Sequence, residues 1–178
     1  MGANGNNNKI VGTNLIFKNL KFMKILVDKI ASVTKNIPLQ HEVEITENIP
    51  AEEGTIIVAE ILEDKKEYNQ LELPSGRFST LKKGDIIVVA LGNRRALKGF
   101  VGKIPDKVEV NDVIHVLNLG GVAGICLSEN MHEVGHALKI KVLGAVAKNS
   151  KALNIKDKKL FSPKKNLSSK IPLIVFSG

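Results

Sequence analysis

The sequence predicts a mainly β fold: a small β-barrel or barrel-like meander carrying one N-terminal amphipathic helix. Three observations predict it. Short β-branched runs at residues 86–90, 100–104 and 113–117 are separated by Gly, Pro and Asn-Arg turns at roughly the 8–12-residue spacing of small sandwiches and barrels. The stretches TIIVAEIL at 55–62 and IIVVAL at 86–91 are too apolar for strands with a wet face. Only one stretch, residues 14–35, repeats its apolar residues at the three- and four-residue steps of a helix.

Taken in order, the opening MGANGNNN has nothing to bury, so residues 1–13 are expected to be a disordered tail. In the helical stretch Leu15, Ile16, Leu20, Met23, Leu26, Val27 and Ile30 form the apolar face, and Lys18, Lys21, Lys24, Asp28 and Lys29 fill much of the rest. Thr13 or Asn14 can cap its start. The charges rule out a membrane-spanning segment. A cleaved leader fits poorly too, because the apolar run is interrupted and no small-residue cleavage site follows it. The helix is expected over 14–36, packed on a β domain at 37–155; lying on a membrane surface is the rarer fate of such a helix.

Within 37–155, Val43 and Ile45 alternate with acids as in a half-exposed strand, with His41 at its edge. Leu71-Glu72-Leu73 resumes pairing before a Pro74-Ser75-Gly76 turn. Leu81-Lys82-Lys83-Gly84-Asp85 enters the next strand, the glycine making the turn and the acid facing its amides. At Gly92-Asn93-Arg94-Arg95 the chain reverses, and Asn93 is expected to take the left-handed conformation. The two arginines are either solvent-facing charge or an anion-binding fork. Gly120, Gly121 and Gly124 permit a bulge or a close approach of backbones. His115, in VIHVL, reads as a hydrogen-bonded core residue. Cys126 reads as a packed thiol; being the sole cysteine, it excludes an intramolecular disulfide and is compatible with a reducing cytoplasm.

His132-Glu133-Val134-Gly135-His136 satisfies HExxH, a zinc-peptidase motif that requires a helix to bring two histidines to one face with the glutamate beside the bound water. The longer form of the motif needs glycine at 139 and histidine at 142, where this chain has Lys139 and Val142, and downstream of His136 there is no Glu or His. Gly135 lowers helix propensity, and Leu138, Ile140 and Val142 alternate with lysines as a strand does. The segment is expected to be a loop before a strand, His132, Glu133 and His136 are a decoy, and no metal is assigned.

The chain has 178 residues, 43% hydrophobic and 25% charged, with a net charge of +8, enough for one domain with a real core. Between residues 148 and 170 eight lysines stand against Asp157 alone, which places a net +7 of that charge there. With Ser162-Pro163, Ser168-Ser169 and Pro172 among them, these lysines read as a basic connector over 156–178 more readily than as a nucleic-acid footprint. Trp is absent and Tyr occurs once, which leaves little for base stacking.

The chain ends in an apolar strand, Ile171 to Phe176, that stops at Ser177-Gly178. In a P-loop protein such a strand runs directly into GxxxxGK[ST], with Gly178 in the place of its first glycine. Together, LELPSGR at 71–77, GDIIVVALGNRRA at 84–96, Phe100, LGGVAG at 119–124 and KALNIKD at 151–157 resemble the N-terminal β domain of a family of uncharacterised P-loop NTPase-like proteins. The resemblance spans roughly residues 50–178 and implies a small β domain ahead of a Walker A sequence. It assigns no catalytic residue here, and ATP or GTP with Mg²⁺ is expected only in a following domain.

The functional expectation is a cytoplasmic, non-catalytic accessory or regulatory domain. It would bind a ligand or a partner, namely a C-terminal P-loop domain or copies of itself. A small anionic ligand is expected where Arg77 and the turn of Gly92, Asn93, Arg94 and Arg95 face Gly120 and Gly121. Nucleic acid is the alternative partner, through the lysine-rich segment, and a zinc peptidase is the disfavoured third reading.

Overall fold

The computed structural model describes residues 23–96, 99–161 and 174. They form twelve strands: β1 Met23–Leu26, β2 Lys29–Ile30, β3 Glu42–Thr46, β4 Ile56–Ile61, β5 Gln70–Glu72, β6 Phe78–Thr80, β7 Ile86–Leu91, β8 Phe100–Lys103, β9 Val113–Val116, β10 Val122–Glu129, β11 Leu138–Lys148 and β12 Lys151–Ala152. Two short 3-10 turns, Ser32–Thr34 and Ile155–Lys158, complete the regular structure. The fold is mainly β.

The strand pairings return on themselves. β11 pairs with β4, β4 with β7, β7 with β10, β10 with β9, and β9 again with β11. All are antiparallel except β7 with β10, where Ala90 and Leu91 lie opposite Val122 and Ala123. β5 and β6 form a separate two-stranded ribbon, tied down by Leu71, which is fully buried.

The double-sided hydrophobicity of β4 and β7 has a structural cause. Ile57, Ala59 and Ile61 of β4 and Ile87, Val89 and Leu91 of β7 join Ile114, Ile140 and Val142 in one core cluster. The alternate residues Ile56, Val58 and Val88 join Val27, Val43, Ile45 and Val146 in a second. Successive side chains of a strand point to opposite faces, so each of these strands separates two apolar layers. The strand β11 spans eleven residues, with a register shift between Val142 and Gly144, and such a bulge bends a long strand enough to serve two partners in turn.

The expected helix over 14–36 is not what its described part forms. Residues 14–22, like the tail at 1–13, lie outside the described residues. Met23–Leu26 is β1, antiparallel to β3 with Lys24 opposite Glu44 and Ile25 opposite Val43. Lys29–Ile30 is β2, parallel to β7. Leu26, counted on the apolar face of a helix, is 72% exposed. Long-range pairing overrides the local period: Asp28 accepts the amide of Ile86 at 2.7 Å, Lys29 Nζ lies 2.5 Å from Asp85 Oδ2, and Val27 is buried in the second cluster. Helix propensity is a weak prior against such tertiary bonds. The expected terminal strand and most of the basic connector also fall outside the described residues.

Candidate functional site

The expected binding residues stand in three places. Arg77 is exposed at the end of the β5–β6 hairpin, where its carbonyl accepts the amide of Leu73 at 2.8 Å. Arg94 points inward: its guanidinium donates to the carbonyl of Leu117 and lies 3.4 Å from the Tyr68 hydroxyl. Arg95 is exposed. The adjacent arginines thus have separate environments, one committed to a backbone carbonyl and the other in solvent. Asn93 does not take the left-handed conformation, since among the described residues the positive-φ non-glycine residues are Tyr68, Asn111, Asn149 and Ser150. Its side-chain oxygen instead accepts the amide of Ile104 at 3.0 Å, and Gly99, further along that loop, has φ +102.

Gly92 and Gly121 are brought together by the parallel β7–β10 pair. Gly92 donates to the Ala123 carbonyl at 3.0 Å, and the Gly121 carbonyl accepts from Ala90 at 3.0 Å. Gly121 has φ +90, and a β-carbon there would collide with that of Ala31, so the glycine is required both by conformation and by space. A β-carbon at Gly92 would stand 2.8 Å from Val122 Cγ1. Gly120 accepts from Val33 at 3.0 Å and so faces the Ala31–Val33 segment.

Beside Gly92 a cleft of about 260 Å³ opens, lined by Val33, Gly54, Gly92, Asn93, Ile155 and Lys156 among others. Two of the expected residues line it. Sequence reasoning missed the rest, although the turn that carries Ile155 and Lys156 had a readable signal: Asn154, which caps it, and Asp157 within it have the three-residue spacing of a capping box. Asn154 Oδ1 accepts the Lys156 amide at 2.9 Å, Asp157 Oδ2 accepts the Asn154 amide at 3.0 Å, and Asn154 Nδ2 donates to Glu53 at 3.0 Å. Lys156 Nζ lies 3.2 Å from Glu53 Oε2. Lys156 also borders a larger cleft of about 480 Å³ beneath the β11–β12 turn.

The HEVGH segment is not helical. Residues 131–134 form a turn in which Glu133 and Val134 donate to the Asn130 carbonyl at 3.1 and 3.0 Å, and Gly135 then takes φ +64. Val134 is buried against Phe100, Leu117 and Ala137. His136 Nε2 lies 3.2 Å from Glu63 Oε1, which also accepts the Lys139 amide at 3.2 Å. Both bonds fasten the turn to the end of β4. Without a helix the one-turn spacing of His132 and His136 has no geometric force. Among the described residues no three His, Cys, Asp or Glu side chains are grouped so as to hold a metal ion.

His115 is half-buried and accepts the Cys126 amide on Nδ1 at 3.3 Å. Burial lowers its pKa, with Lys139 acting in the same sense and Glu129 against it. Burial also raises the Cys126 thiol, and the neighbouring Glu129 carboxylate adds to the rise. Both groups are thereby held neutral, the opposite of the thiolate and imidazolium that a cysteine nucleophile needs.

No helix among the described residues is long and apolar enough to cross a membrane. No family model matches the chain, and no curated protein or solved structure is significantly similar to it.

Proposed function

We propose that this chain is a non-catalytic accessory domain that binds a ligand or partner and precedes a nucleotide-binding P-loop domain in the cytoplasm. Its closed circuit of five strands acts as a small barrel, and the basic segment beyond it leads toward the nucleotide-binding part.

One observation carries the reading: the Ile155–Lys158 turn is tied back onto the β domain. Ile155 donates to the Gly54 carbonyl at 2.9 Å, Ile56 donates to Leu153 at 3.0 Å, and the Asn154–Asp157 capping box locks the turn between them. The buried hydrophobic residues run from Val27 to Ala147 among the described residues, and Leu153 and Ile155 of the lysine-rich segment pack against them. A lysine-rich segment anchored at its start in this way suits a domain joined to another by a charged connector.

Nucleic acid is the lesser reading, supported by the lysines at 151, 156, 158 and 159, all exposed. Glu53 and Asp157 sit among them and reduce the local field. The test is direct. The purified chain with Mg²⁺ and ATP or GTP is expected to release no phosphate. Turnover that survives repurification and disappears on mutating a residue of this chain would contradict the reading.

A further inference from the structure

Three of the lysines that the sequence assigns to a connector help to line a groove. A second cleft of about 260 Å³ is lined by the apolar Val33, Ile37 and Ile155 and by Lys156, Lys158 and Lys159. Thr34 and Asn36 complete the lining, which holds no carboxylate among the described residues; the carboxylate of Asp157, between Lys156 and Lys158 in sequence, accepts the Asn154 amide at 3.0 Å. The Thr34 hydroxyl is committed to the Ala31 carbonyl at 2.9 Å. Lys156 is drawn toward Glu53, on the side of the Gly92 cleft. Lys158 and Lys159 are exposed, and among the described residues neither has a carboxylate partner.

The groove is built before any ligand arrives. Val33 is fixed by its bond to Gly120 at 3.0 Å and Ile155 by its bond to Gly54 at 2.9 Å. The capping box holds the lysine-bearing turn. Such rigidity lowers the entropic cost of binding. Two ammonium groups without a carboxylate partner among the described residues, Lys158 and Lys159, beside the apolar Val33, Ile37 and Ile155 call for a ligand with two unlike ends. An ammonium acts as a point charge and suits a compact, doubly charged head. The volume, below the about 300 Å³ at which drug-sized pockets begin, limits the body to a small ring or short chain.

We propose that this groove binds a small phosphate monoester with an apolar body. The body lies on Val33, Ile37 and Ile155, and the phosphate sits at Lys158 and Lys159. This rests on the reading of the chain as a binding domain and names its ligand class.

The test is calorimetric titration of the full chain at low salt with phenyl phosphate. Inorganic phosphate and benzyl alcohol each present one half of the ligand alone, and benzoate exchanges the head for a single charge. Phenyl phosphate is expected to bind one to one and more tightly than any of the three. The double variant Lys158→Ala/Lys159→Ala is expected to weaken it about tenfold through the loss of two exposed charge pairs, with the far-ultraviolet circular dichroism unchanged. The single variant Lys159→Glu gives the same direction from one position. Phenyl phosphate binding no tighter than inorganic phosphate, or unaffected by the lysine variants, overturns the proposal. So does a single-stranded oligonucleotide that binds with a steep salt dependence while phenyl phosphate gives no saturable heat. The two readings fail separately, because phosphate release from ATP or GTP by this chain contradicts the non-catalytic reading, whereas an unsaturable titration removes only the groove.

Discussion

Lys65 donates its ammonium to the carbonyl of Val134 at 2.7 Å and stands 5.1 Å from the centre of the Phe100 ring. This one side chain fastens the HEVGH turn to the loop after β4. Burial pushes the Lys65 pKa down, and the carboxylates of Glu129, Glu63 and Glu67 pull it back. Lys65→Met keeps the alkyl stem on the ring and removes the charge. It is expected to cost about 1–3 kcal/mol, combining a hydrogen bond from a charged donor with a cation–π contact. Urea denaturation measures the loss, and hydrogen exchange at the Val134 amide should accelerate along with it. An unchanged midpoint and unchanged exchange would show that the clasp does not hold the turn.

Gly121 tests the packing of the parallel pair against the N-terminal segment. With φ +90 and Ala31 where a β-carbon would go, Gly121→Val is expected to lose about 2–4 kcal/mol from strain and overpacking together. Gly76, with φ +80 and open space around it, is the control: Gly76→Asn should cost under about 1 kcal/mol, since asparagine tolerates the left-handed region. Thermal melts of both variants check the order.

The lowered pKa of His115 fixes the sign of one limb of the pH–stability curve. Above the unfolded value of about 6.5 both states carry a neutral ring. As pH falls below it, the unfolded chain takes up the proton first, so stability drops until the lower folded pKa is passed. His115→Asn keeps an acceptor for the Cys126 amide and should flatten that part of the curve relative to the native chain. Urea midpoints from pH 7.5 to about 4.5 decide it; identical slopes would mean that the ring is as easily protonated folded as unfolded.

Cys126 should be a sluggish thiol. Burial and the Glu129 carboxylate both favour the protonated form, so iodoacetamide at pH 7.5 is expected to alkylate the native chain about tenfold or more slowly than the chain in urea. Mass spectrometry over time gives both rates, and Glu129→Gln should narrow the gap.

The strands were legible where the chain alternates or runs apolar between turn residues. β3, β4, β7, β8, β9 and the start of β11 lie within a residue or two of where the sequence puts them, and at Lys82-Lys83-Gly84-Asp85 the acid does accept the Lys82 amide, at 2.7 Å. β1 and β2 were not legible, because Met23, Leu26, Val27 and Ile30 fit a helical stripe equally well and only their pairing with β3 and β7 decides the matter. The commitment of Arg94 to Leu117 was likewise out of reach, since it joins the residue after β9 to a loop more than twenty residues away. The groove between Val33 and Ile155 depends on a contact between the two ends of the described chain, and no local pattern announces that.

The central claim is that this chain is the domain ahead of a P-loop. The coding sequence immediately after Gly178 tests it most directly. The account predicts that the reading frame continues to a second glycine five positions on, followed by lysine and then serine or threonine, completing the phosphate-binding loop. A stop codon at that point, or an open frame without that pattern, would contradict it.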